Sequence, residues 1–526
     1  MDGLIGYTGF VGGNLLRQRR FDAFFNSANV DEIRGRRFDL LACAGTPAVM
    51  YRANQQPAED LASIRRLMDA LASVEAMRFV LISTIYVYRD PVGVDERTPV
   101  TEEGLPPYGT HRLMLETFVR ERFGATAIRL PNIFGDGIKK NVLFDLLNDN
   151  HVSTINAASV YQYYSLDHLW PDVSRAMANG VDVLNVATEP VSVREIARGG
   201  LGIPFENDPG TPPVFCDFRS AHAGLWGKPG GYLYSKAEVL DDIRRFVARY
   251  RSEPFRLAVS SIAWKPEQDA AMRDALAERG VQGVELLPDR LFDERGELSL
   301  ERAAEQRRFW AGRGISVIAV QGVLFTRDDL KLFESGENRA NTFQYLKTII
   351  VTLRHLGAGV LMFGSPRNRR RADLSKEAAD RIAVPFFRDL ADFAYANDVV
   401  FCIEPNPEAY GADYLQTTAE AYALAEQVNH PGFAVNVDTG AMLMGGESLE
   451  TPALCARRVR HVHISQPNLG PVADIGEDVH ARIAGALRRT RYAGWVSIEM
   501  KRAPEGNDNI ARVLAAVDRV RAVYAI

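Results

Sequence analysis

Four polar side chains close four short apolar runs in the second half of this sequence: Glu404 in VVFCIEP, Asp438 in FAVNVDTG, His463 in VHISQP and Glu499 in WVSIEM. Three carboxylates and one imidazole brought to a point are the donor set of a divalent-cation site. Oxygen-rich ligation of this kind suits Mn2+, Mg2+ or Co2+, and Zn2+ is also compatible. Taken singly, each residue has a plainer explanation, because acids and histidines at strand ends bond the amides of the next loop. Taken together in an apolar mouth, three carboxylates would repel one another and take up protons unless a cation held them. Such a cation, chelating a carbonyl and a neighbouring hydroxyl, acidifies the C–H between them, which a carboxylate can remove to give an enediolate. Proton return to the opposite face epimerises, and return to the other carbon isomerises.

The elements that must position these residues are legible in the same stretch. Eight strand-like runs follow residue 254: RLAVSSIAW, GVELL, ISVIAVQG, AGVLMFGS, VVFCIEP, FAVNVDTG, HVHISQP and WVSIEMK, with helical patterns between them. The count and the segment length predict a (β/α)8 TIM barrel over 254–526, whose C-terminal strand ends converge on one face. The first half alternates strand and amphipathic helix from Leu4 to about Phe246, which predicts a Rossmann-type doubly wound parallel sheet over 1–250. A charged helix end meets Pro254 in ARYRSEPFRLAVSS, so the domain boundary is placed at 250–254.

The N-terminal domain carries its own constellation. Gly6, Gly9 and Gly12, with Phe10 and Val11 between the last two, follow a strand and open a helix, the placement in which glycines let a backbone approach a pyrophosphate. A tight turn that binds nothing has the same local pattern. Further on, Ser83-Thr84-Ile-Tyr-Val-Tyr88 ends a strand, Tyr108-Gly-Thr-His-Arg112 begins a helix, and Arg129-Leu-Pro-Asn132-Ile-Phe-Gly135 follows. Together these motifs resemble the extended short-chain dehydrogenase/reductase family, the NAD-dependent epimerases and dehydratases, over residues 1 to 245. The resemblance implies that Thr84 and Tyr108 act on a substrate carbinol or carbonyl, and that the residue at 112 holds the nicotinamide ribose and depresses the phenol pKa. That residue is Lys in the family and Arg112 here, which keeps the charge but not the shape. Where the family's second strand would end with an acid for the ribose, the chain has Asn26 and Ser27, so NAD and NADP both stay open.

The strand order Glu, Asp, His, Glu resembles the xylose isomerase-like barrels, in particular the sugar phosphate isomerase/epimerase family, over residues 255 to 526. In the ketose epimerase branch the residues matching Glu404 and Glu499 are both metal ligands and the acid/base pair, while those matching Asp438 and His463 complete the coordination. That branch also carries a His shortly after the metal Asp, where this chain reads Asp438-Thr-Gly-Ala441-Met442, which argues against free ketohexoses. Trp264, Glu285 and Gln321 end the first three strand-like runs and are candidates to line a sugar pocket, with core packing and loop anchoring as the alternatives. In GSPRNRRR, Arg367 and Arg369 are offered to a substrate anion, against the reading of a solvated helix start. Lys501, two residues past Glu499, is a further candidate for the same mouth, and His461 shares a strand face with His463.

These features make the chain a bifunctional carbohydrate enzyme in expectation, a nicotinamide-dependent domain fused to a metal-dependent isomerase or epimerase acting on a sugar, sugar phosphate or nucleotide sugar. One alternative leaves only the barrel catalytic, with a degenerate dinucleotide-binding or interaction module in front. A lower-ranked one is an endonuclease IV-like repair barrel, disfavoured by the net charge of −5 and by only nine histidines in the chain. No nucleic-acid footprint, apolar span or leader pattern is read, so neither nucleic acid nor membrane is expected as a partner, the expected location is the cytoplasm, and homo-oligomerisation stays open. The cysteines Cys43, Cys216, Cys402 and Cys455 are too widely spaced for a zinc cluster or a disulfide framework.

Overall fold

The computed structural model describes residues 1–46, 50–138, 140–251, 255–490, 492–504 and 508–526. The chain divides into two compact units, Met1–Ser252 and Glu253–Ile526. Of the boundary anticipated at 250–254, residues 252–254 lie outside the described residues.

Among the described residues the first unit has ten strands: β1 (Asp2–Ile5), β2 (Ala23–Phe25), β3 (Arg37–Cys43), β4 (Glu75–Thr84), β5 (Thr126–Leu130), β6 (Asn132–Phe134), β7 (Val160–Tyr161), β8 (Tyr163–Ser165), β9 (Val183–Asn185) and β10 (Val191–Ser192). Six of them form a parallel sheet in the order β2-β1-β3-β4-β5-β9, and β6 pairs with β8 and β7 with β10 at its margin. The expected doubly wound class is present, with one difference from the 3-2-1-4-5-6 order: no strand lies beyond β2 among the described residues. The chain from Phe25 to Arg37 holds only the 3-10 turn Val30–Ile33, too little for a helical crossover and another strand. The order still reverses between β1 and β3, and the crevice at their C-terminal ends is where such sheets take ligands.

The second unit closes eight parallel strands into a barrel in sequence order: β11 (Arg256–Ser260), β12 (Gly283–Leu286), β13 (Ser316–Val320), β14 (Val360–Phe363), β15 (Val400–Ile403), β16 (Phe433–Asp438), β17 (Val459–Ile464) and β18 (Trp495–Ile498). Strand alternation sorts the side chains. Val435, Val437, Val462, Ile464, Val496 and Ile498 face outward into the core shared with the surrounding helices, so Asn436, Asp438, His461, His463, Ser497 and Glu499 face inward. Below them the interior is filled by Ala258, Ile318, Ala319, Val360, Met362, Cys402 and Ala434. Side-chain caps define where the outer helices begin: Ser335 receives the Asn338 amide ahead of Gly336–Leu356, and Thr417 receives that of Glu420 ahead of Thr418–Val428. All four cysteines are free and buried. Among the described residues no helix is long and apolar enough to cross a membrane.

Candidate functional site

Three adjacent strands and the end of β15 bring Glu404, Asp438, His463 and Glu499 together, with one donor atom from each lying within 4.8 Å of all the others. The Nδ1 of His463 stands 3.0 Å from Glu404 Oε1, 3.1 Å from Glu499 Oε2 and 3.8 Å from Asp438 Oδ2. His463 is fully buried, while the Glu404, Asp438 and Glu499 side chains keep 12%, 6% and 8% of their surface, so the three carboxylates are the cluster's more exposed part. Glycine makes room for it. A Cβ on Gly364, the residue after β14, would lie 2.5 Å from Glu404 Oε2.

Hydrogen bonds aim each carboxylate. Asp438 caps the short helix Thr439–Met444, receiving the Ala441 amide at Oδ1 (2.5 Å) and the Ser465 hydroxyl at Oδ2 (2.8 Å). Asn436 donates through Nδ2 to Glu404 Oε1 (2.7 Å). Burial, reinforced by the Glu499 and Glu404 charges, pushes the Asp438 carboxyl well above the usual carboxylate range. Burial alone would lower the His463 pKa, but Glu499, Glu285 and Glu404 hold its imidazole well above the ordinary value. Excess negative charge drawn around one basic nitrogen is the arrangement a divalent ion relieves, and the donor set of three carboxylates and one imidazole fits such an ion.

The other residues singled out in the barrel have different fates. Glu285 and Gln321 end inside the barrel: Glu285 meets the Nε2 atoms of both His461 and His463, the latter at 3.1 Å, and Gln321 Nε2 reaches Glu285 Oε2 at 3.3 Å and the Ser260 hydroxyl. Trp264 does not line the mouth. Its strand stops at Ser260 and a 3-10 turn carries the indole into the core, where Nε1 donates to Asp269 (2.6 Å) and the ring tilts against Trp310. Arg369 is equally withdrawn, fully buried and spent on the carbonyls of Gly364, Glu404, Tyr414 and Leu415 and on Asn406 Oδ1. Arg367 is exposed beside Asp328, and Lys501 is exposed with its amide on the Leu469 carbonyl. Tyr410, unmarked by any sequence signal, is half-buried in the turn after β15, its phenol pushed up to about 12 by burial and by the charges of Asp438, Glu499 and Glu404.

In the first unit the glycine turn lies at the switch point. Gly6 has φ +83°, and a Cβ there would run into the Ala44 carbonyl after β3, while one on Gly12 would run into the Gly6 carbonyl. Gly9 is exposed and caps the helix Phe10–Gln18 with no side-chain bond, so the first-turn amides, including Phe10 and Val11, are left for a ligand. These residues fit a dinucleotide pyrophosphate. Thr84 ends β4 beside the Tyr108 phenol, and the helix that carries Tyr108 comes close because Gly109 has no Cβ to meet the Tyr86 carbonyl at 2.5 Å. The Arg112 guanidinium sits 4.2 Å over the Tyr108 ring and pairs with Asp60, which His111 also binds (2.7 Å). Burial raises the Tyr108 pKa above its ordinary value despite Arg112 and Thr84. Arg129 is buried on Glu116 (2.5 Å) and the Tyr88 hydroxyl (2.7 Å), a core network.

Two family models match this chain: the NAD dependent epimerase/dehydratase family over residues 3–162 and the xylose isomerase-like TIM barrel over 273–520. The chain is a fusion of these two families. Among solved structures, the xylose isomerase-like barrel is similar to D-psicose 3-epimerase with D-tagatose from Clostridium cellulolyticum H10, at 18% identity and a TM-score of 0.44, over 51% of this chain and 99% of that one. It is also similar to 3-keto-D-glucoside 4-epimerase from E. coli, at 17% identity and a TM-score of 0.42, over 52% and 100% of the two chains. A third is the IOLI protein with a binding zinc atom, at 16% identity and a TM-score of 0.41, over 52% and 98%. None of the curated proteins compared matches the chain.

Proposed function

We propose that the barrel is a divalent-metal-dependent epimerase or isomerase of a sugar or sugar derivative, and that the N-terminal domain binds a nicotinamide dinucleotide. The observation that carries the first part is the convergence of Glu404, Asp438, His463 and Glu499 on one buried point. A divalent ion held by these four residues would chelate a carbonyl and the adjacent hydroxyl and acidify the C–H between them. The chain supplies the proton transfer. Glu404 and Glu499 flank His463 Nδ1 at 3.0 and 3.1 Å and retain access to the mouth, so one is placed to remove the proton and the other to return it. Asp438, held at both oxygens, is fixed rather than free to shuttle.

For the N-terminal domain, Gly9, Phe10 and Val11 would hold the pyrophosphate through their amides. The Asp60–Arg112 pair favours binding over chemistry: the cation standing in the lysine position is neutralised, and burial keeps the Tyr108 phenol protonated. A bifunctional enzyme needs Thr84 and Tyr108 to act despite this.

Metal-loaded protein incubated in D2O with a panel of ketoses, ketose phosphates and keto-sugars should exchange a carbon-bound proton of one of them. Glu404→Gln and Glu499→Gln should each slow that exchange by about 10²–10⁴-fold with the fold retained. Exchange that survives both substitutions, or that ignores metal removal, would defeat the mechanism. For the N-terminal domain, unchanged nicotinamide-dependent turnover in Tyr108→Phe would remove the two-activity reading.

A further inference from the structure

We propose that Glu285 is a positioning residue for the metal centre, committing His463 Nε2 as a hydrogen-bond donor so that Nδ1 is the nitrogen offered to a cation; this rests on the metal reading above. Glu285 belongs to β12 and His463 to β17, strands on different sides of the ring. The carboxylate is wholly buried, and both its oxygens are occupied: Oε1 by His461 Nε2, and Oε2 by His463 Nε2 at 3.1 Å and Gln321 Nε2 at 3.3 Å. An anion surrounded in this way can only accept, so each imidazole must present an N–H from Nε2. The remaining nitrogen of His463 is then Nδ1, and it is Nδ1 that faces Glu404 and Glu499.

Asn436 borders the same nitrogen: its Nδ2, which donates to Glu404 Oε1, lies 3.2 Å from His463 Nδ1. His461 stands edge-on to the His463 ring with its Nε2 turned to Glu285, so its part is to hold the carboxylate in place. An anionic partner on the far nitrogen also raises the basicity of the ligating one, and partners of this kind are commonly worth 10- to 100-fold in metal affinity. Glu285, His461 and His463 also place three donor atoms within 4.8 Å of one another, which makes a second cation there the competing reading.

The test uses the full-length protein, stripped of metal and titrated with Mn2+ by calorimetry. One ion per chain is expected, with Glu285→Gln weakening binding about 10- to 100-fold at unchanged far-UV circular dichroism. His461→Gln, which keeps the Glu285 charge and returns an amide N–H to it, should weaken binding less. In the Zn2+-loaded, 15N-labelled protein, His463 should be protonated at Nε2 and bare at Nδ1. Unaltered affinity in E285Q, or the opposite tautomer, would overturn the proposal. Two ions per chain, one of them lost in E285Q, would overturn it by making the cluster a cation site in its own right. If E285Q fails to fold, the tautomer in the unsubstituted protein decides alone. If the unsubstituted chain binds no divalent ion, the metal reading itself has failed, whereas binding that is indifferent to E285Q removes only the role of Glu285.

Discussion

Asp438 and His463 both bind protons more tightly in the folded, metal-free barrel than their ordinary values of 3.8 and 6.5. A folded state that holds the extra proton loses stability as rising pH strips it off, so the loss begins above the ordinary carboxylate value and continues through the raised folded pKa of His463. Glu285, held below the ordinary carboxylate range because its neighbouring imidazoles outweigh burial, works in the opposite sense and only in acid. Metal-depleted protein should therefore become easier to unfold between about pH 5 and 8, reading the unfolding midpoint in urea at each pH. Mn2+ at one hundred times its Kd should restore about 2.7 kcal/mol, with the dissociation constant itself smaller at pH 8 than at pH 6 because protons compete for the same atoms. Metal-free stability that climbs across this range would contradict the charge arrangement. The four clustered residues were legible in sequence because each ends an apolar run. Asn436, Ser465 and Gly364 were not, since their roles exist only through neighbours on other strands.

Strand ends fix what each residue can reach. The sequence pattern extended the first barrel strand to Trp264, whereas β11 stops at Ser260, and that difference moves the indole from the mouth to the core. Apolar periodicity cannot register such a stop, because the 3-10 turn Ser261–Ala263 is as apolar as a strand. Arg369 misled for a related reason: a run of arginines reads as solvated, yet one of them threads inward to satisfy loop carbonyls. At the end of β14 the element is tuned to its neighbour. Gly364 has no positive φ to explain it, so its reason is the 2.5 Å approach a Cβ would make to Glu404 Oε2. Gly364→Ala should leave thermal stability near that of the parent and lower turnover about 10²-fold by displacing that carboxylate, as kcat and Mn2+ titration would show. Full activity in G364A would mean the glycine is incidental.

Each unit of the whole molecule carries its own core. One is built from barrel strands and helices from Phe255 onward, and others lie within the first 247 residues. Scanning calorimetry of the intact chain should accordingly show two transitions, with Mn2+ raising one and a nicotinamide dinucleotide raising the other. A single transition moved by both ligands would refute that separation. The two fold classes were readable because helix and strand periods alternate along the chain, and eight apolar runs account for the closed ring. The sheet order was not readable, because a missing outer strand leaves no positive mark in a sequence.

The hydrogen bonds from Glu285 to His461 and His463 span 176 and 178 residues of chain and link strands that are not neighbours in the ring. Contacts of such sequence separation form only after the intervening chain has been gathered, at the entropic cost that makes non-local topologies slow to fold. The imidazole that faces the carboxylates is thus set only when the ring has closed across its diameter. A half-folded barrel has the ligands in its sequence but not the nitrogen in its place, so metal capture becomes a late event in the life of the chain, and a signature that the ring is complete.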